Sequence, residues 1–310
     1  MTARETKPEK TRGPLPKRIL CAVDLSDFTA PTLAHAVALA RYYGAEVTAI
    51  HVLPAWAPPA SLATYPGWMM GVPEARAVIT NELRTLVEPF AAGGNPVRQH
   101  TSVGDAAWEI VRYADESRSD LVVIGTHGRS GFDRFALGSV AEKVLRKASC
   151  PVLTLPPGLA RAVGDITYRQ ILCPTDFSEC SERALEFAVA LAKKANAAVT
   201  ALHVVDALDG EQELQGPKYV ADFRRLQCDG AHDSLRALLS DHASGDCRVT
   251  KHVVLGRPYR EILRLATERQ VDLIVMGVRG RGPVDLTLFG STTNQVVRRA
   301  TCPVITVRGQ

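Results

Sequence analysis

The chain has 310 residues, 46% hydrophobic and 23% charged, with a formal net charge of +4. That composition belongs to a globular protein of about two domains and excludes a disordered, collagen-like or disulfide-scaffold chain. No apolar run reaches the ~18 residues of a membrane span, so no membrane partner is expected.

The charge sits at one end. Residues 1–18 carry Arg4, Lys7, Lys10, Arg12, Lys17 and Arg18 against Glu5 and Glu9, and the rest of the chain holds 31 of each sign. The body offers no basic surface, so no nucleic-acid partner is expected. Residues 1–16 read as a disordered basic tail. They lack the apolar region of a secretory signal. A cytoplasmic protein whose seven cysteines stay reduced follows from that reading.

The elements repeat with one offset. Ile19-Leu20-Cys21 returns as Ile171-Leu172-Cys173, and Cys150-Pro151-Val152 as Cys302-Pro303-Val304, each 152 residues on. Between 18–55 and 170–207, 18 of 38 positions are identical. This is a duplicated domain, because each copy is itself domain-sized. The copies are expected at 17–156 and 169–308, with a linker at 157–168.

In chain order, the apolar runs Lys17–Asp24 and Gln170–Thr175 read as buried strands. Helices follow, with apolar residues at Leu33, Ala36, Val37 and Ala40, and at Leu185, Ala188, Val189 and Ala192. Thr29 and Ser181 are their expected N-caps. Strands Val47–Leu53 and Val199–Val205 come next, then helices over Glu74–Ala92 and Tyr219–His242. Third strands at Val97–Val103 and Val249–Leu255 lead to helices Ala106–Glu116 and Arg260–Glu268. Fourth strands at Asp120–Ile124 and Asp272–Met276 precede glycine-rich loops. Helices from Gly138 and Gly290 and last strands Pro151–Leu155 and Pro303–Val307 close each unit. Alternation of this kind predicts a parallel, doubly wound sheet in each copy.

Ligands of such sheets bind beyond the carboxyl ends of the strands. Two segments there carry chemistry. One is Val23-Asp24-Leu25-Ser26, or Thr175-Asp176-Phe177-Ser178. The other is Gly125-x2-Gly128-x9-Gly138-Ser139, or Gly277-x2-Gly280-x9-Gly290-Ser291. Glycine permits positive φ and close backbone approach. A serine at a helix start adds a hydroxyl beside the positive end of the dipole, which suits phosphate.

These residues, twice in register, resemble universal stress protein (UspA-type) domains in tandem, over 17–156 and 169–308. The resemblance implies adenine nucleotide alpha hydrolase-like (Rossmann-like) α/β domains. Each would be a five-stranded parallel sheet of order 3-2-1-4-5. The last strands would pair antiparallel within the chain, as in an intramolecular pseudo-dimer, or across a homodimer. It also implies binding of ATP, with Mg²⁺ carried by the nucleotide. Asp24 and Asp176 would contact ribose or that Mg²⁺. Val52 and Val204 would touch adenine, and Ile124 and Met276 would line the pocket. Gly125, His127, Gly128, Gly138, Ser139 and Val140 would cradle phosphate in one copy. Gly277, Arg279, Gly280, Gly290, Ser291 and Thr292 would do so in the other. Ala22 stands where the second copy has Pro174.

The sequence has no G-x4-G-K-[ST] motif and no general base common to both copies. A nucleotide-dependent stress-response regulator with at most slow hydrolysis is therefore expected, with no catalytic residue and no protein-held metal. A slow ATPase or nucleotide-dependent transferase is the alternative, with Arg129 and Arg281 as its candidate residues. A thiol or metal sensor using Cys180, Cys228, His232, His242 and Cys247 is a weaker one. His51 and His203 read as structural, and Cys21, Cys150, Cys173 and Cys302 as small buried residues. Trp56, Tyr65, Trp68, Met69 and Met70, in Pro54–Pro73, read as packing.

Overall fold

A computed structural model describes residues 15–55, 72–91, 96–126, 137–157, 159, 166–206, 217–242, 247–278, 280 and 290–309. The expected tail up to residue 14, residues 56–71, His127, Gly128, Arg129, Arg279 and Arg281 lie outside the described residues. In the first half the order is β1 (Arg18–Ala22), α1 (Thr29–Tyr43), β2 (Glu46–Leu53), α2 (Val72–Ala91), β3 (Val97–Val103), α3 (Ala106–Glu116), β4 (Leu121–Gly125), α4 (Ser139–Lys147) and β5 (Val152–Leu155). The second half repeats it: β6 (Gln170–Pro174), α5 (Glu179–Ala195), β7 (Ala198–Asp206), α6 (Pro217–His242), β8 (Arg248–Gly256), α7 (Pro258–Glu268), β9 (Leu273–Gly277), α8 (Ser291–Arg299) and β10 (Val304–Val307).

All ten strands form one sheet, in the order β3-β2-β1-β4-β5-β10-β9-β6-β7-β8. Within each half the pairings are parallel, as the alternation of elements predicts, and the order is 3-2-1-4-5, as the family resemblance implies. The halves join through β5 and β10, which pair antiparallel with Ile305 opposite Leu153. Threonine hydroxyls support this seam from both sides. Thr154 donates to the Val304 carbonyl at 3.1 Å, and Thr306 to that of Val152 at 3.3 Å. Each half thus covers the other's exposed edge.

Alternate residues of β1 face opposite sides of the sheet, as the period of a strand requires. Ile19 and Cys21 pack with Leu33, Ala36 and Val37 of α1 and Leu83 of α2. Leu20 and Ala22 pack with Ile110 of α3 and Val144 of α4. The strands are buried on both faces, so they read as continuous apolar runs rather than alternating ones. Tyr168, before β6, docks against α1, where its hydroxyl shares a hydrogen bond with His35 Nδ1 at 2.9 Å.

The helix starts differ from the expected N-caps. Helix α1 begins at Thr29 with Phe28 in the capping position and no side-chain cap. Ser181 lies in the first turn of α5, where Ser178 accepts from its N–H. The reason lies in the turn before each helix. Asp24 Oδ1 accepts from both the N–H and the hydroxyl of Ser26, and Asp176 Oδ1 does the same with Ser178. That closed turn starts the winding earlier than helical periodicity indicates, by one residue in α1 and by three in α5.

Candidate functional site

At the carboxyl ends of β1 and β4 the strand order reverses, and a cavity of about 300 Å³ opens in the first half. Its floor and one wall are apolar, from Ile50 and Val52 of β2, Ile110 of α3 and Ile124 of β4. Asp24, Phe28, Thr29 and Thr32 come from the β1–α1 turn. Gly125, Thr126, Gly138, Ser139 and Val140 come from the end of β4 and the start of α4. The structure therefore brings Asp24, Val52, Ile124, Gly125, Gly138, Ser139 and Val140 to one cavity.

The turn after β1 is held in an uncommon conformation. Leu25 has φ 60° and Phe177, its counterpart, φ 62°. A non-glycine residue in the left-handed region costs roughly 1–2 kcal/mol. The two halves share this cost at the residue after the aspartate, which turns the carboxylate back onto its serine. Beneath it, His51 donates from Nδ1 to the Val23 carbonyl at 2.8 Å, and His203 to that of Thr175 at 2.8 Å. The carbonyl can only accept, so that nitrogen carries the proton. Both histidines are structural supports.

The glycine-rich loop is pinned at both ends. The Gly138 N–H donates to the Thr126 carbonyl at 2.8 Å, and that of Gly290 to Val278 at 3.0 Å. A Cβ on Gly138 would stand 3.0 Å from the Thr126 oxygen. Gly138 has φ −58° and Gly290 φ −55°, so positive φ is not what requires glycine at these two places. At Gly138 the close approach does. The first turn of α4 then presents Ser139 and free backbone N–H groups to the cavity, the arrangement that favours an anion.

In the second half, Met276 and Gly277 end β9 and are buried, and Val204 packs on the same face. Gly280 closes onto the β6 turn, where a Cβ would stand 2.4 Å from Asp176 Oδ2. Gly277 lies against the start of α5, its Cβ position 3.0 Å from the Ser181 nitrogen. Ser291 opens α8, Thr292 follows it, and Thr293 donates to the Gly277 carbonyl at 2.9 Å. Asp176, Gly277, Gly280 and the start of α8 thus lie together at the carboxyl edge of the second half.

Sequence reasoning missed Phe28, Thr29, Thr32 and Ile110 in the first cavity. No motif marks them. The signal that finds Thr29 and Thr32 is a pair of hydroxyls in the first turn of a helix whose following residues are mostly apolar.

None of the seven cysteines is in a disulfide. Cys21, Cys150, Cys173 and Cys302 are buried as expected. Burial raises the Cys21 thiol well above its usual range and pushes Cys173 up to about 12. Among the described residues no group of three or more His, Cys, Asp and Glu side chains comes together to hold a metal. Among the same residues no helix is long and apolar enough to cross a membrane.

This architecture agrees with the known proteins the chain resembles. The Universal stress protein family matches residues 16–156 and 167–308, and the chain belongs to that family, a stress-response class. It is 29% identical over 269 residues to the universal stress protein Rv2005c of Mycobacterium tuberculosis, covering 84% of this chain and 87% of that one. It is 36% identical over 141 residues to MJ0531 of Methanocaldococcus jannaschii, covering 45% of this chain and 81% of the relative. A crystal structure of a universal stress protein from Archaeoglobus fulgidus superposes with a TM-score of 0.67. That match, at 24% identity, covers 94% of this chain and 98% of the other and speaks for the fold.

Proposed function

We infer that the protein binds an adenine nucleotide, as Mg-ATP, in each half and acts as a nucleotide-dependent regulator with at most slow hydrolysis. One observation carries this reading. The first cavity joins an apolar slot to a helix N-terminus, and Asp24 Oδ2 is buried there without a hydrogen-bond partner. A buried carboxylate oxygen wants a donor or a cation. A ribose hydroxyl or a phosphate-bound Mg²⁺ would supply it. Val52, Ile50 and Ile124 suit the flat face of a base, and Gly138 and Ser139 suit phosphate. The donors on this cavity favour ground-state phosphate as much as any transition state, and such uniform binding does not raise kcat. Cysteines outside any disulfide suit a reducing compartment such as the cytoplasm.

The test is calorimetry with Mg-ATP on nucleotide-free protein, together with a steady-state hydrolysis assay. Binding with turnover far below ~1 s⁻¹ supports a regulator. Turnover at or above that rate, lost on Arg129→Ala plus Arg281→Ala, establishes the enzyme instead. No binding of ATP, ADP or AMP overturns the nucleotide reading.

A further inference from the structure

The two halves carry the same hydroxyl at the same place but use it differently. Thr29 and Ser181 are 152 residues apart, each in the first turn of the helix that follows the aspartate turn. Ser181 Oγ is occupied within the protein. It lies 3.0 Å from Thr175 Oγ1 and donates to the Ser178 carbonyl at 2.8 Å. In the first half the residue matching Thr175 is Val23, which has no hydroxyl. Thr29 is 2% exposed, its Oγ1 has no hydrogen-bond partner, and it lines the cavity. Asp24 Oδ2, on the same turn, is also buried without a partner. Asp176 Oδ2 instead lies where a side chain on Gly280 would stand, 2.4 Å from that Cβ position.

An unpartnered buried hydroxyl is a cost to the free protein that a ligand can relieve. A hydroxyl already bonded inside the protein offers a ligand no such gain. Relief of two unpartnered groups in the first half, against none of the same kind among the described residues of the second, separates the affinities of the two sites.

We propose that Thr29 is a ligand-binding and affinity-setting residue that makes the two sites inequivalent, so that the first half loads with nucleotide before the second. The proposal rests on the nucleotide reading above. It deepens that reading by assigning a loading order and the residue behind it. A hydroxyl can both donate and accept, so Thr29 takes one polar oxygen of the nucleotide beside Asp24. Partial loading, with the first half filled and the second open, then becomes a distinct signalling state of the chain across intermediate ATP levels.

The experiment is calorimetric titration of the nucleotide-free, full-length protein with Mg-ATP, alongside its melting temperature without ligand. The unmutated chain should show a tight phase of one equivalent and a second phase about tenfold weaker. Thr29→Val, which keeps the shape and deletes the hydroxyl, should weaken the tight phase by roughly 3- to 10-fold. It should also raise the melting temperature of the free protein, because it removes an unsatisfied buried group. A residue with a purely structural role would not give opposite signs in the two measurements. Val23→Thr, which rebuilds the Thr175–Ser181 pairing in the first half, should weaken the same phase while leaving Thr29 in place. Ser181→Ala should leave the tight phase intact. Two equal sites in the unmutated chain overturn the proposal. So does a tight phase that survives Thr29→Val, or one that is lost with Ser181→Ala. Absence of any nucleotide binding by the unmutated chain is a separate result, which removes the nucleotide reading itself.

Discussion

His51 Nδ1 donates to the carbonyl oxygen of Val23 at 2.8 Å, one residue before Asp24. The bond ties β2 to the turn that carries the aspartate, and His203 repeats it on Thr175. His51 is 4% exposed, so deleting its donor leaves a carbonyl in a water-poor setting. We expect His51→Leu to destabilise the protein by about 1–3 kcal/mol. It should also loosen Asp24. Thermal unfolding checks the first effect, and an unchanged melting temperature would show that the bond contributes nothing.

Gly277 leaves no room for a side chain. A Cβ there would lie 2.9 Å from Cys180 Cβ and 3.0 Å from the Ser181 nitrogen, and that nitrogen is backbone that cannot rotate away. Gly277→Ala should push the start of α5 off β9 and cost roughly 1–3 kcal/mol. Chemical denaturation measures the loss. A variant as stable as its parent would mean that α5 retreats without strain.

Stability should fall in mild acid because of His35. Burial lowers its pKa from 6.5 to about 4. The folded state therefore prefers the neutral ring. The stability this gives is complete above pH 6.5 and is lost as pH falls from 6.5 toward 4. The loss should reach roughly 2 kcal/mol by pH 5. His35→Phe, which installs the residue found at Phe187, should flatten that part of the profile. Denaturation curves at pH 7 and pH 5 decide it, and an unaltered slope in the variant would assign the acid loss elsewhere.

Native protein should react with thiol reagents at Cys180, Cys228 and Cys247, which are partly exposed, and not at the four buried cysteines. Burial holds Cys173 and Cys302 near 12, so little thiolate forms at neutral pH. Mass spectrometry after brief labelling at pH 7 reads the pattern. Early modification of Cys21 or Cys173 would mean that the sheet opens locally on that timescale.

The sequence alone determined the duplication and the α/β class. These depend on local periodicity and on a repeat written in residues that stay adjacent. It also pointed to the edge where a ligand would sit, because strand ends in a doubly wound sheet fall on one side. Tertiary structure decided the rest. The left-handed Leu25 and Phe177 follow from a turn that nothing in their side chains foretells. Phe28 in place of Thr29 at the start of α1 follows from that same turn. The bare Thr29 hydroxyl depends on Val23, six positions back, just past the end of β1. Pairs of that kind meet only when a strand and the helix after it fold back on each other. Hydrogen-bond satisfaction is a property of those meetings and not of either residue.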